Sequence, residues 1–187
     1  MNRLHRRLCR SVFWRRAINE HFLPWVLQDV DPAGSLLEIG PGPGVTTDLL
    51  RLKVKRLTAI EIDTSLALGL SSRLRGTNVM VVAGDAVRMP FACRSFSSAV
   101  CFAMLHHIPS AELQNALLHE VRRVLEPGGT FAGMDSGPGL GMRLLHLGDI
   151  CVPVDPESFA LRLEAAGFQT VSMDNDRFAF RFRAVVP

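Results

Sequence analysis

Lysine is nearly missing from this chain: Lys53 and Lys55 are the only two, and the remaining basic charge is arginine. The four cysteines, Cys9, Cys93, Cys101 and Cys151, form no C-x-x-C pair and have no histidine at metal-ligand spacing. That pattern argues against a redox dithiol or a zinc ribbon, so reduced thiols, a cytoplasmic setting and no metal are expected. No stretch approaches the ~20 apolar residues that a membrane span needs. No apolar run follows the first arginines, so the start does not read as a secretory leader. Acid is absent from the first sixteen residues, which carry Arg3, Arg6, Arg7, Arg10, Arg15 and Arg16. Such a start has the composition of a mitochondrial transit segment, yet it runs unbroken into helical pattern. What is present is ordinary globular material. With 187 residues, 48% hydrophobic and 21% charged, the chain suits one α/β domain with a proper core. A net charge of +3 is too mild to demand a polyanionic partner.

Leu4, Leu8, Val12, Trp14, Ile18, Phe22 and Trp25 recur at helical spacing, which predicts one or two amphipathic helices interrupted near Pro24. Short apolar strands are then expected at 35–39, 57–62, 79–83, 98–102 and 130–134, alternating with helices. One helix carries Leu113, Ala116, Leu117, Val121, Val124 and Leu125 on one face and stops at Pro127-Gly128-Gly129. Nearly all-apolar strands between helices imply a parallel sheet covered on both faces. The ending is different. Phe178, Phe180, Phe182 and Ala184 alternate with Ala179, Arg181, Arg183 and Val185, the period of a half-exposed, antiparallel strand. The glycine-laden piece from Ser136 to Gly148 yields no structural reading.

A glycine-rich loop, Gly40-Pro41-Gly42-Pro43-Gly44, follows the first strand, where nucleotide-like ligands bind in doubly wound sheets. The dinucleotide register Gly-x-Gly-x-x-Gly fails, because counting from Gly40 reaches Val45 and counting from Gly42 reaches Thr47. Pro41 and Pro43 also remove the backbone donors that a pyrophosphate requires. A ligand with adenosine but no phosphate, such as S-adenosylmethionine, needs only close backbone approach and a carboxylate near its amino group. Glu38 stands where that carboxylate is expected.

With these residues in view, the chain resembles the class I S-adenosylmethionine-dependent methyltransferases over nearly its whole length. Residues 37–44, Leu-Glu-Ile-Gly-Pro-Gly-Pro-Gly, look like their first motif. Ala-Ile-Glu-Ile-Asp at 59–63 looks like the acidic end of their second strand, Gly84-Asp85-Ala86 like the third-strand motif, and 102–108 like the fourth. Residues 124–129 are similar to the turn before the fifth strand. The nearest branch is the one that includes ubiquinone and menaquinone methyltransferases. The resemblance implies a Rossmann-like, doubly wound seven-stranded sheet in the order 3-2-1-4-5-7-6, with the last strand antiparallel. It implies a single domain over 1–187, with residues 1–30 as a helical cap and 35–187 as the core. It implies S-adenosylmethionine as cofactor, leaving as S-adenosylhomocysteine. The cofactor-binding residues would be Glu38, Gly40, Pro41, Gly42, Glu61, Ile62, Asp63, Gly84, Asp85, Ala86, Phe102 and Ala103. Among them Glu61 would accept from both ribose hydroxyls, Asp85 from the adenine amino group, and Phe102 would pack near the adenine. Two departures stand out: Phe96-Ser97 replaces the family's Phe-Asp, and the segment from 136 to 153 is short for a substrate lid.

Displacement at a sulfonium needs a base only when the acceptor must lose a proton. His106 and His107, after the fourth strand, are the natural candidates, with His146 behind them; Asp135 reads as a strand end-cap, and no catalytic residue is fixed. The N-terminal helix supports three readings: a cap over the site, a membrane-surface anchor, or an arm on RNA phosphates. No RNA-recognition module is readable elsewhere, so a small organic acceptor is the leading expectation. The alternatives are methylation of RNA or protein, or a module that binds the cofactor without turnover. Oligomeric state is not readable.

Overall fold

The computed structural model describes residues 11–28, 33–137, 139, 146, 148–175 and 179–187. Its frame is one sheet of seven strands: β1 (Ser35–Ile39), β2 (Arg56–Glu61), β3 (Val79–Ala83), β4 (Phe96–Phe102), β5 (Leu125–Ser136), β6 (Gln169–Asn175) and β7 (Ala179–Val185). They lie in the order β3-β2-β1-β4-β5-β7-β6, as the resemblance implied. The first five pair in parallel, and β7 runs antiparallel to both β5 and β6. Leu36, Leu37, Ile39, Leu57, Ile60, Val100 and Cys101 are buried, which is why these strands read as apolar runs without alternation. Ile39 stands beside Ile60 on one side and Cys101 on the other, so the carboxyl ends of β1, β2 and β4 finish level. The strand order reverses at β1, and a doubly wound sheet opens its ligand crevice there.

Helices cover the faces. They are α1 (Val12–Ala17), α2 (Leu23–Val26), α3 (Val45–Leu50), α4 (Thr64–Arg73), α5 (Ala111–Val124) and α6 (Pro156–Ala165). The expected break near Pro24 takes a specific form: a π-helical turn, Ile18–Phe22, joins α1 to α2 and the chain stays helical throughout. Proline cannot donate to the preceding turn and its ring crowds it, and the widened turn absorbs both effects. Ile18, Leu23 and Val26 are buried beneath it. Leu4, Leu8, Arg3, Arg6, Arg7 and Arg10 lie outside the described residues. Asp48 on α3 binds this layer to the core, with Arg73 Nη1 at 2.6 Å and Arg15 Nη2 at 3.5 Å. Trp25 does the same at the far side. The guanidinium groups of Arg181 and Arg183 stand 5.0 and 5.1 Å from its ring, and Arg183 donates to its carbonyl at 2.9 Å.

The helix expected to stop at Pro127 ends three residues earlier. Arg94 and Ser95 donate their backbone N–H groups to Arg123 and Val124 at 3.0 and 2.7 Å, taking the last carbonyls of α5. Leu125 then pairs with Phe96 as strand, ahead of an irregularity that contains the Pro127-Gly128-Gly129 turn. Leu113 is partly exposed and Leu118 is buried in its stead. At the end of the chain the period-2 reading holds: Phe180, Phe182 and Ala184 are buried while Arg181 and Arg183 are half-buried. Phe178 lies outside the described residues. Phe182 meets Phe131 and Phe159 edge-on at 4.9 and 5.0 Å, a packing worth ~0.5–1.5 kcal/mol per pair beyond area burial.

Candidate active site

A cavity of about 420 Å³ opens at the carboxyl ends of β1, β2 and β4, within the range of small-molecule sites. The glycine loop forms one wall. Gly40 and Gly44 have φ of +65° and +83°, values that disfavour any side chain. A Cβ on Gly40 would meet the Met104 side chain at 3.2 Å, and one on Gly44 would strike Leu70 at 2.4 Å. Gly42 differs. It lines the cavity, and a Cβ added there would meet nothing within 4 Å, so a side chain would fill open space at the loop's mouth.

Eleven of the twelve sequence-predicted positions line this cavity; Glu38 does not. Glu61 is buried at the end of β2, where Oε2 accepts the Gly42 N–H at 2.8 Å and Oε1 accepts the Asp63 N–H at 3.0 Å. Each oxygen keeps a second lone pair. Asp85 is exposed, and its Oδ1 accepts the Val87 N–H at 3.0 Å, which shapes the turn after β3. Asp63 caps α4, accepting from Ser65 and Leu66 at 2.9 and 3.1 Å. Ile62 is 69% exposed at the rim. Gly84 stands close against Ile60, where a Cβ would come within 3.3 Å.

Glu38 sits behind the loop. The Thr46 hydroxyl donates to its Oε1, while Oε2 has no partner among the described residues. Burial pushes its carboxyl up to about 7, offset only in part by the Thr46 hydrogen bond.

The opposite wall is apolar. Trp14 reaches it from α1, Phe102 from the end of β4, Ala103, Met104 and Ile108 from the segment after it, and Leu113 and Leu117 from α5. Ala103 adopts a φ of +49°, an unusual conformation for alanine that re-aims the chain as it leaves the strand. Ser97 joins strands: its hydroxyl accepts from the Ser35 N–H at 3.0 Å. Trp14, Met104, Asp149 and Ile150 were not among the expected site residues, although all line the cavity. Trp14 was readable as an apolar position on an amphipathic helix; Asp149 and Ile150 follow a segment without pattern.

A histidine cluster adjoins the cavity through His107, which lines it. His106 is buried, its Nδ1 2.5 Å from Asp135 Oδ1 and its Nε2 3.1 Å from His146 Nε2. One ring nitrogen from each of His106, His107 and His146 lies within 4.8 Å of the others. Asp135, expected as an end-cap, is instead the buried partner of His106. The sequence showed no metal-ligand spacing because 40 residues separate His106 from His146.

A family model described as a methyltransferase domain matches residues 37–133, just over half of the chain. A ribosomal RNA small subunit methyltransferase A of Methylibium petroleiphilum is 32% identical over 103 residues, covering 51% of this chain and 39% of the relative. A demethylmenaquinone methyltransferase of Corynebacterium kroppenstedtii is 29% identical over 120 residues, covering 64% of this chain and 46% of the relative. The chain thus spans less than half the length of either relative. A solved structure of a SAM-dependent methyltransferase from Methanosarcina mazei shares the fold, with a TM-score of 0.73 at 18% identity over 87% of this chain and 97% of that one.

Proposed function

The chain belongs to the methyltransferase domain family, and from that premise we propose that it transfers the methyl group of S-adenosylmethionine to a small organic acceptor. The observation that carries this reading is a single cavity walled by a phosphate-hostile glycine loop, a strand-end carboxylate and an apolar face. The residues present fit the cofactor. Gly42 leaves the loop open for close approach, and Glu61 keeps two lone pairs for a ribose. Asp85 keeps its Oδ2, which would accept from an adenine amino group, and Phe102 and Ala103 would pack against the base. Pro41, Ile62, Asp63, Gly84 and Ala86 supply shape around these contacts.

When bound, the cofactor supplies an activated methyl on a sulfonium, so the protein's contribution is mainly alignment. A near-attack geometry contributes ~7–11 kcal/mol in well-oriented systems. The loop and Glu61 hold the donor, and Trp14 with Met104 and Ile108 excludes water and holds the acceptor. His107, at the cavity wall, is placed to take a proton from an acceptor hydroxyl or thiol. Residues of the N-terminal helix then act as a cap, in line with Trp14 reaching the cavity. An acceptor held at a membrane surface also suits Val12 and Phe13, which stand exposed beside Arg15 and Arg16. Among the described residues no helix is long and apolar enough to cross a membrane. We read the site of action as the cytoplasm.

RNA is the second reading, favoured by the ribosomal RNA methyltransferase relative. Incubation with methyl-labelled S-adenosylmethionine and parallel sets of quinols, phenols, thiols and ribosomal RNA separates the two. Label in a small acceptor with none in RNA is expected; label in RNA alone overturns the proposed acceptor class.

A further inference from the structure

We propose that His106, His107 and His146 bind one divalent transition-metal ion of zinc's class, with its open position facing the cavity. Two bonds of ~2.0–2.1 Å at a tetrahedral angle set donor atoms about 3.3 Å apart. His106 Nε2 and His146 Nε2 stand 3.1 Å apart, close to that spacing. The rings are not stacked flat. His106 and His146 meet at 82°, His107 and His146 at 57°, and His106 and His107 at 42° with centroids 4.3 Å apart. The ligand nitrogens all lie within 4.8 Å of one another, and His107, half-buried, is the most exposed of the three.

The second observation is the outer carboxylate. Asp135 is fully buried, and its Oδ1 lies 2.5 Å from His106 Nδ1. That contact keeps the proton on Nδ1 and directs the Nε2 lone pair at His146, the arrangement that orients metal-bound histidines. The backbone N–H groups of Ser136 and His106 also donate to Asp135, at 2.6 and 3.3 Å, and fix the carboxylate against the ring. Three imidazoles leave the fourth position for water or an acceptor heteroatom, and His107 marks where that position meets the cavity. Imidazole donors select zinc, cobalt or nickel over magnesium or calcium. A bound thiol or hydroxyl would lose its proton more readily there, so in the metal-bound protein the ion takes over from His107 the activation of the acceptor. That last role rests on the methyl-transfer reading; occupancy of the site does not.

The test is a titration of the metal-stripped full chain with Co²⁺, read by the intense visible band of a tetrahedral nitrogen site, then displacement by Zn²⁺. One equivalent is expected to saturate the band. His107→Ala and His146→Ala should each abolish saturation at one equivalent. Asp135→Asn should weaken affinity by ~10–100-fold. Circular dichroism establishes that each variant is folded, and His107→Ala, at the least buried position, serves if the others are not. A band that never saturates near one equivalent, or that persists undiminished in folded His107→Ala, overturns the proposal. The methyl-transfer reading is tested separately by binding of S-adenosylmethionine to the metal-free wild type.

Discussion

The carboxylate of Glu61 accepts the backbone N–H of Gly42 at 2.8 Å, so the end of β2 holds the loop that follows β1. One side chain thus shapes the glycine loop and presents acceptors to the cavity. Glu61→Gln puts an amide donor where an acceptor stood, and Glu61→Ala removes both oxygens. Either change is expected to weaken S-adenosylmethionine binding by ~1.5–3 kcal/mol, the worth of a hydrogen bond to a charged group. Isothermal titration checks this, and unaltered affinity would remove Glu61 from the site.

Asp85 offers a finer distinction. Its Oδ1 shapes the turn by accepting from Val87, and Oδ2 is left for the ligand. Asp85→Asn keeps an acceptor for the turn, so its melting temperature should stay near wild type. Asp85→Ala should weaken cofactor binding by ~1–3 kcal/mol. Normal affinity in the alanine variant would show that the adenine lies elsewhere.

Glu38 predicts a pH dependence. Its carboxyl is pushed from an ordinary 4.5 up to about 7, chiefly by burial. Between those values the folded state binds more protons than the unfolded chain, so stability falls as pH rises through the window and levels above it. At ~1.4 kcal/mol per pH unit the full change is about 3 kcal/mol. Glu38→Gln should flatten this slope. Chemical denaturation at a series of pH values measures it, and an identical slope in the variant would contradict the account.

Gly133 tests the sheet. A Cβ there would stand 2.5 Å from the Cys101 carbonyl and 2.9 Å from Phe182 Cζ, both fixed parts of the core. Gly133→Ala should lower stability by ~1–3 kcal/mol through overpacking. A thermal melt equal to wild type would show that β4, β5 and β7 are packed more loosely than described.

The centre of the sheet was readable because β1, β2 and β4 are buried on both faces and separated by turn residues, and β7 because Phe180, Arg181, Phe182 and Arg183 alternate in polarity. The end of α5 was not, because tertiary bonds from Arg94 and Ser95 stop it before its own terminator residues. At the site, strand-end motifs pointed to Glu61 and Asp85, and both line the cavity. Glu38 was expected with them, and it lies outside the cavity lining. Its place next to the loop is right in sequence, but strand alternation turns it behind the loop onto Thr46. The pairing of Asp135 with His106, and of His106 with His146, depends on chain separations of 29 and 40 residues that no local pattern encodes.

The most direct measurement is a crystal structure of the protein with S-adenosylhomocysteine. The account predicts the ribose hydroxyls on Glu61, the adenine between Asp85 and Phe102, and the sulfur facing Met104 and His107. A ligand bound outside this cavity, or a cavity that takes NAD and refuses the adenosyl compound, would contradict it.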